Sequence, residues 1–200
     1  MLNNQIKKVK IFLIKTRKRF YFFNADVENI FNTIYKRNLW KSKESISGPG
    51  SELKNTIHLQ KQIQSIIKEY KIQSIVDCGC GDFNWMKEIN FGEMKYTGLD
   101  IVNEIAESNM KKYATAKIKF IKLNTVNEIP PRADLLICRD VLVHLNFETI
   151  DASLKNMIAS KSDYFLLTTF PFAENCHTKH LLHPRGKCGF CAEVYCACHK

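Results

Sequence analysis

The stretch SIVDCGCGDFNW, Ser74 to Trp85, decides how the chain is read. An apolar run ends at Asp77, and cysteine and glycine then alternate through Cys78, Gly79, Cys80 and Gly81. Either the cysteines hold a metal or the glycines bring backbone close to a ligand. Residues two apart in a turn need two further ligands nearby to complete a zinc site, and none stands near in sequence, so Cys78 and Cys80 read as small buried residues. Gly79 and Gly81 fall where a strand is expected to turn into a helix, the position at which missing side chains let backbone approach a ligand.

Downstream, short apolar runs are separated by helical stretches. SIVDC (74–78) and KYTGLD (95–100) predict strands, followed by a helix over Val102 to Tyr113 with Ile105, Ala106, Met110 and Tyr113 on one face. KIKFIKLN (117–124) is a third strand, and after Pro130 and Pro131 DLLIC (134–138) is a fourth. A helix carrying Phe147, Ile150, Leu154, Met157 and Ile158 leads to a fifth strand, YFLLTTF (164–170). This alternation implies βαβ units: an α/β doubly wound, mostly parallel sheet covered on both faces, with a ligand at the strands' carboxyl edge.

Upstream, Val27, Ile30, Phe31 and Ile34 recur at helical spacing over Ala25 to Asn38. A polar loop, WKSKESISGPGS (40–51), ends with Ser51 as N-cap of a helix whose buried stripe would be Leu53, Ile57, Ile63, Ile66, Ile67 and Tyr70.

Charge discriminates between ligands for the glycine turn. A dinucleotide needs its pyrophosphate on the helix N-terminus and a third glycine for close packing, and Asn84 takes that place. Asp77 before the turn and Asp82 closing it disfavour a pyrophosphate and favour a cationic ligand. S-adenosylmethionine, with a sulfonium, an ammonium and no phosphate, meets that condition. Its ribose needs an acceptor, and Asp100 stands about 20 residues downstream where one is expected.

In these residues the chain resembles the class I S-adenosylmethionine-dependent methyltransferases. The matching segments are VDCGCGDFNW, YTGLDIV, FIKLNTV and DLLICRDVLVHL, with WKSKESISGPGS similar to the lead-in of a bacterial subgroup. A lone D-x-G-x-G carries little, but the ordered set from about Phe31 to Phe172 is specific. The resemblance implies a Rossmann-like sheet in which Asp77, Gly79 and Gly81 line the methionine part of the cofactor and Asp100 holds the ribose. It also implies that Asn124 and Ile101 lie near the adenine, with Asp140 at the mouth of the cleft. Asp82 and Arg139 complete the cofactor-side candidates, although Arg139 has other partners in an acidic substrate, Asp82 or Asp140.

A methyl transfer to a hydroxyl needs a base late in the reaction. Asp140 and His144, spaced i,i+4, share a face if RDVLVHL begins a helix, which makes His144 the candidate base with Asp140 or Glu44 behind it. His144 packing beneath the cofactor, or capping a helix, is the competing reading. Trp40 and Trp85 are candidates to wall the pocket or to sit in the core. The acceptor expected is an oxygen or nitrogen of a small molecule or glycan.

A chain of 200 residues, 45% hydrophobic and 25% charged, suits one core with terminal extensions and excludes wholesale disorder. Three segments follow: a basic extension (1–23), the methyltransferase-like domain (24–172) and a Cys/His-rich tail (173–200). Much of the net charge of +10 lies in the extension. Its Lys7 to Arg19 segment is a candidate for weak contact with anionic membrane or RNA, the basis for an alternative reading as an RNA-binding module.

No apolar run reaches the roughly 20 residues of a spanning helix, and eight cysteines without an export signal predict a cytoplasmic, reduced setting. The family's sheet usually closes with two further strands, one antiparallel, which the tail shows no alternation to supply. The tail therefore reads as irregular, the end of a truncated or frame-shifted frame, and the chain as an inactive remnant if those strands are required. Cys188-x-x-Cys191 with Cys196, Cys198, His180, His183 and His199 has the ligand types of a zinc site, on irregular spacing.

Overall fold

Asp26 caps the first helix, its carboxylate accepting from the Asn29 amide at 2.7 Å and opening α1, Val27–Lys36. The computed structural model describes residues 26–169 and 193–196. Ile30 and Ile34 form the buried side of α1 and pack with Phe31, Leu39 and Trp40. The polar loop then ends differently from the reading above. Gly48, at φ +96°, feeds a 3-10 turn over Pro49–Ser51, so Ser51 lies inside a turn and caps nothing. α2, Leu53–Glu69, is capped instead by Glu44, whose carboxylate accepts from the Leu53 amide at 2.7 Å.

Five parallel strands follow: β1 (Ser74–Cys78), β2 (Lys95–Asp100), β3 (Ile118–Lys122), β4 (Leu135–Cys138) and β5 (Tyr164–Thr169). α3 (Asn103–Tyr113) connects β2 to β3, and α4 (Phe147–Ala159) connects β4 to β5. The sheet order is β3-β2-β1-β4-β5-β6, the doubly wound arrangement that the alternation predicts. Its order reverses between β1 and β4, so the crevice lies at their carboxyl ends.

The sequence reading ended the sheet at β5, and here the structure adds to it. β6, Glu193–Cys196, pairs antiparallel with β5 in the register Leu166↔Cys196 to Thr169↔Glu193. The unpaired backbone groups of β5 supply the template, and four residues are too few for alternation to show in sequence. The basic extension and the Cys/His cluster, apart from Cys196 in β6, lie outside the described residues. Among the described residues, no helix is long and apolar enough to cross a membrane.

One expected helix is missing. The crossover from β1 to β2 is a loop with a single 3-10 turn, Met86–Glu88, where the sequence reading placed a helix behind the glycines. Phe83, Trp85, Met86, Ile89, Phe91 and Met94 fill that place against the sheet with Tyr96 and Phe120. Large aromatic rings cover the area a helix would cover; Phe83 alone touches Phe91, Tyr96, Tyr113 and Phe120. Cys78 and Cys80 go into separate clusters, Cys78 with Leu136 and Met157 and Cys80 with Ile75 and Phe83, and both are free thiols.

Some predicted core positions face solvent: Ile57, Met110, Phe147 and Ile158 are exposed. Thr56 and Ile63 take the inner side of α2 and Asn109 that of α3, because a helix wide enough to cover a sheet buries whichever side the neighbouring strands dictate.

α1 crosses the carboxyl edge of the sheet. Glu28 pairs with Lys122 at the end of β3, Lys36 pairs with Glu104 at the start of α3, and Phe31 meets His144 beyond β4. These are exposed ion pairs of small individual worth, so α1 is held mainly by its apolar side.

Gly98 in β2 is packed without room for a side chain: a Cβ there would lie 2.7 Å from Phe120 and 2.9 Å from Cys80 Sγ. Gly98→Ala is expected to lower stability by roughly 1–3 kcal/mol, read as a lower urea midpoint at unchanged slope.

Candidate functional site

The turn after β1 has all its backbone donors in use. The amides of Gly79 and Cys80 both donate to the Leu99 carbonyl, at 2.8 and 2.9 Å. The Gly81 amide donates to Asp100 Oδ2 at 3.0 Å, and the Asp82 amide to Ser47 Oγ at 3.1 Å. Asn109 Nδ2 in α3 donates to the Gly81 carbonyl at 2.7 Å. No N–H in the turn is left for a phosphate, and no helix begins there, so the anion site of a dinucleotide fold is absent from these residues.

The glycines serve the chain's own packing. Gly79 and Gly81 have φ of +80° and +56°, where L side chains are strained. A Cβ on Gly79 would lie 2.2 Å from a methyl of Val141, and one on Gly81 would lie 2.0 Å from Ser47 Oγ. At these two positions the chain's own Val141 and Ser47 side chains pack against the glycine backbone.

Asp82 has its partners within the chain. Its carboxylate accepts from Ser45 Oγ at 2.8 Å, Ser47 Oγ at 3.1 Å and the Ile46 amide at 2.9 Å. It fastens the 45–47 loop to the turn and so acts on the site through that loop. Asn84 continues the fastening, donating to Glu44 Oε1 at 2.7 Å and to the Ser51 carbonyl at 3.1 Å. Glu44 caps α2 and holds Asn84, which leaves it no place behind His144.

Two buried acids and an arginine with a side chain 10% exposed lie on one face of the sheet at this edge. Asp77, 3% exposed, accepts from the Tyr96 hydroxyl at 2.8 Å. Burial pushes its pKa up to about 7, against the opposing pull of Tyr96 and then Arg139. Asp100 accepts from the amides of Gly81 and Val102, at 3.0 and 2.9 Å, and burial pushes it up to about 6. Asp77 pairs with Ile137 across β1 and β4, so Arg139, two residues on, continues the same face. Its Nη2 donates to the Gly50 carbonyl at 2.9 Å and pairs with Asp140 Oδ2 at 3.0 Å, while the guanidinium lies 5.4 Å from the centre of the buried Trp85 ring.

Beyond β4 the expected helix is a 3-10 turn, Leu142–His144, and Asp140 precedes it at φ +56°. Asp140 is held there by its amide, which donates to Thr168 Oγ1 at 2.6 Å. The helical i,i+4 geometry for Asp140 and His144 is thus not formed. The His144 ring rests 5.4 Å from Trp40 and 6.2 Å from Phe31. Burial lowers its pKa, while the negative charge of Asp140 opposes the shift. Ile101 and Asn124 are half-buried. Leu123 donates its amide to the Asp100 carbonyl at 2.9 Å, which brings Asn124 to the end of β2, and Asn124 Oδ1 accepts from Val126 in a turn. Among the described residues no three His, Cys, Asp or Glu side chains gather as a metal site.

Sequence reasoning missed Asn109, Ser45, Ser47 and Tyr96. Asn109 did leave a signal, a polar residue on the inward side of an amphipathic helix. The others are ordinary until the loops that carry them are brought together.

In sequence the chain matches no family model and no curated protein. In structure it is similar to magnesium protoporphyrin IX methyltransferase from Synechocystis with bound SAM, at TM-score 0.52 and 18% identity over 74% of this chain and 78% of that one. It is similar to the N-methyltransferase NodS of Bradyrhizobium japonicum in complex with S-adenosyl-L-homocysteine, at TM-score 0.52 and 13% identity over 68% and 72% of the two chains. The fold is that of the class I methyltransferases. The methyltransferase domain of bacterial CtHen1 also matches, at TM-score 0.50 and 15% identity over 56% of this chain, which spans 64% of that domain's length. In a methyltransferase fold the groups gathered above occupy the carboxyl edge of β1, β2 and β4.

Two outcomes follow from the burial of these groups. Asp77 binds its proton more tightly folded than unfolded, so its contribution to stability falls as pH rises from about 4 to about 7. Asp77→Asn keeps an acceptor for Tyr96 and removes that penalty. At pH 8 the ligand-free variant is expected to exceed wild type in urea stability by roughly 2 kcal/mol, with the difference gone at pH 4. His144 is expected to titrate below the usual 6.5 in an NMR pH series, and lower still in Asp140→Asn; a rise in that variant would contradict the assignment.

Proposed function

We propose that the chain is an S-adenosylmethionine-dependent methyltransferase that moves a methyl group to an oxygen or nitrogen of a small molecule or glycan. The observation that carries this reading is the pair of buried carboxyl groups, Asp77 and Asp100, at the carboxyl ends of adjacent strands of a methyltransferase sheet. A turn with no spare backbone donor excludes a pyrophosphate at those residues and leaves carboxylates as the ligand-facing chemistry.

The donor set fits S-adenosylmethionine. Asp100 accepts from the Gly81 and Val102 amides, and its carboxylate, with about four lone-pair sites, retains acceptor capacity for a ribose hydroxyl. Asp77, titrating near neutrality, is drawn into its ionised form by a cationic ligand. Ile101 and Asn124 stand at the adenine end, beside Asp100. When bound, the cofactor supplies an electrophilic methyl on a sulfonium. The contribution of the chain is alignment and the exclusion of water beneath α1 and the 40–51 loop. Asp82 acts as a positioning residue by holding that loop. His144, kept neutral by burial, is the candidate base for a hydroxyl acceptor, and Asp140 favours the imidazolium that would form. Trp40 and Phe31 hold the imidazole in place.

Calorimetric titration with S-adenosylhomocysteine tests the reading. Binding in the micromolar range is expected for the folded protein, and Asp100→Ala, checked for folding by its thermal melt, is expected to bind at least roughly 30-fold more weakly. Folded wild-type protein that takes up no S-adenosylhomocysteine would sink the assignment.

A further inference from the structure

The chemistry proposed above leaves a pair of cysteines unused at the carboxyl ends of β1 and β4. Asp77 pairs with Ile137, so Cys78 and Cys138, the next residues and the last of their strands, are neighbours in register. Their side chains leave the sheet on the face opposite Asp77 and enter one apolar cluster with Val76, Leu136 and Met157. Both are free thiols, each 1% exposed. Cys80 joins the cluster on the other face, with Ile75 and Phe83.

Adjacent strands run about 4.8 Å apart. A disulfide accepts Cα atoms at roughly 4.4–6.8 Å and Cβ atoms at roughly 3.5–4.5 Å, so a small inward movement of the strand ends is enough to bridge this pair. Burial raises both thiols above their usual range, and a charge on Cys138 would raise Cys78 further. In the closed protein both are therefore protonated and shielded.

We propose that Cys78 and Cys138 are a redox pair, joined across β1 and β4 by a disulfide oxidant of the glutathione type, and that the bond weakens ligand binding in the crevice. Reaction proceeds from an opened form in which Val141 and Leu142, packed against the cluster, lift away. One cysteine, as its thiolate, attacks a sulfur of glutathione disulfide; the S–S bond of the oxidant breaks and one glutathione leaves. The second cysteine attacks the mixed disulfide and expels the other glutathione. Two protein thiols are oxidised, the oxidant is reduced to two thiols, and those thiols take the two protons.

The effect on the crevice follows from what the strand ends carry. Gly79 follows Cys78, Val141 belongs to the segment after Cys138, and a Cβ on Gly79 would lie 2.2 Å from a Val141 methyl. Packing that close has no slack, so drawing the strand ends together shifts Val141 and, with it, the segment that carries Arg139, Asp140 and His144. Only this effect on binding rests on the proposed cofactor.

The full chain, first reduced, is to be incubated for hours with glutathione disulfide, digested with trypsin and mapped by mass spectrometry. Peptides 72–87 and 133–139 are expected as one linked species that separates again on dithiothreitol and is absent in Cys138→Ala. Cys80 shares the first peptide, and Cys80→Ala is expected to keep the link. In calorimetric titration the linked protein is expected to bind S-adenosylhomocysteine at least about fivefold more weakly than the reduced protein, with affinity restored by dithiothreitol.

Wild-type protein whose two peptides stay unlinked, or join through Cys80, would overturn the proposal without any variant having to fold. So would equal affinity in the two redox states. Reduced protein that binds no S-adenosylhomocysteine removes the cofactor reading instead, and the peptide map then decides the pair by itself.

Discussion

The turn from Gly79 to Asp82 binds its own chain on every side, and the rest of the site depends on that closure. Four consecutive amides find acceptors in Leu99, Asp100 and Ser47, and the one carboxylate at its end collects three donors from the 45–47 loop. This is possible because two residues of the turn have no side chain. Val141 from beyond β4 and Ser47 from the upstream loop come into the space where a Cβ would stand. Glycine here lets three separate segments pack on one another.

The side chains around the turn include ionisable groups kept in an apolar place. Burying Asp77 and Asp100 raises both toward neutrality, and the protein meets part of that penalty with the Tyr96 hydroxyl and two backbone amides. A fold optimised for stability alone would place apolar residues there. Two acids and an arginine are retained there on one face of the sheet. Asp140, at a backbone conformation disfavoured for most residues, keeps the arginine oriented while its own amide is tied to Thr168 in β5.

The aromatic packing behind the turn shows how a familiar sheet tolerates a missing element. Where the crossover from β1 to β2 lacks a helix, Phe83, Trp85 and Phe91 cover Tyr96 and Phe120 in its stead. That choice also removes the helix N-terminus that would attract a phosphate. It ties the exclusion of a dinucleotide to a packing decision made some residues away from the site.

The sequence by itself determined the strands, their parallel arrangement and the acids at their ends. Short apolar runs, and the near-3.6 spacing of apolar residues between them, are local properties, legible wherever they occur. Asp77 and Asp100 were legible for the same reason, standing at strand ends a fixed distance apart. Only tertiary structure decided what fills the glycine turn, that Asp82 and Glu44 are fasteners, that α1 lies over the sheet's edge, and that residues 193–196 close onto β5. Each of these is a contact between segments far apart in the chain. The residues that make it carry no periodicity of their own, because hydrogen bonding and close packing depend on which surfaces meet rather than on spacing along the backbone.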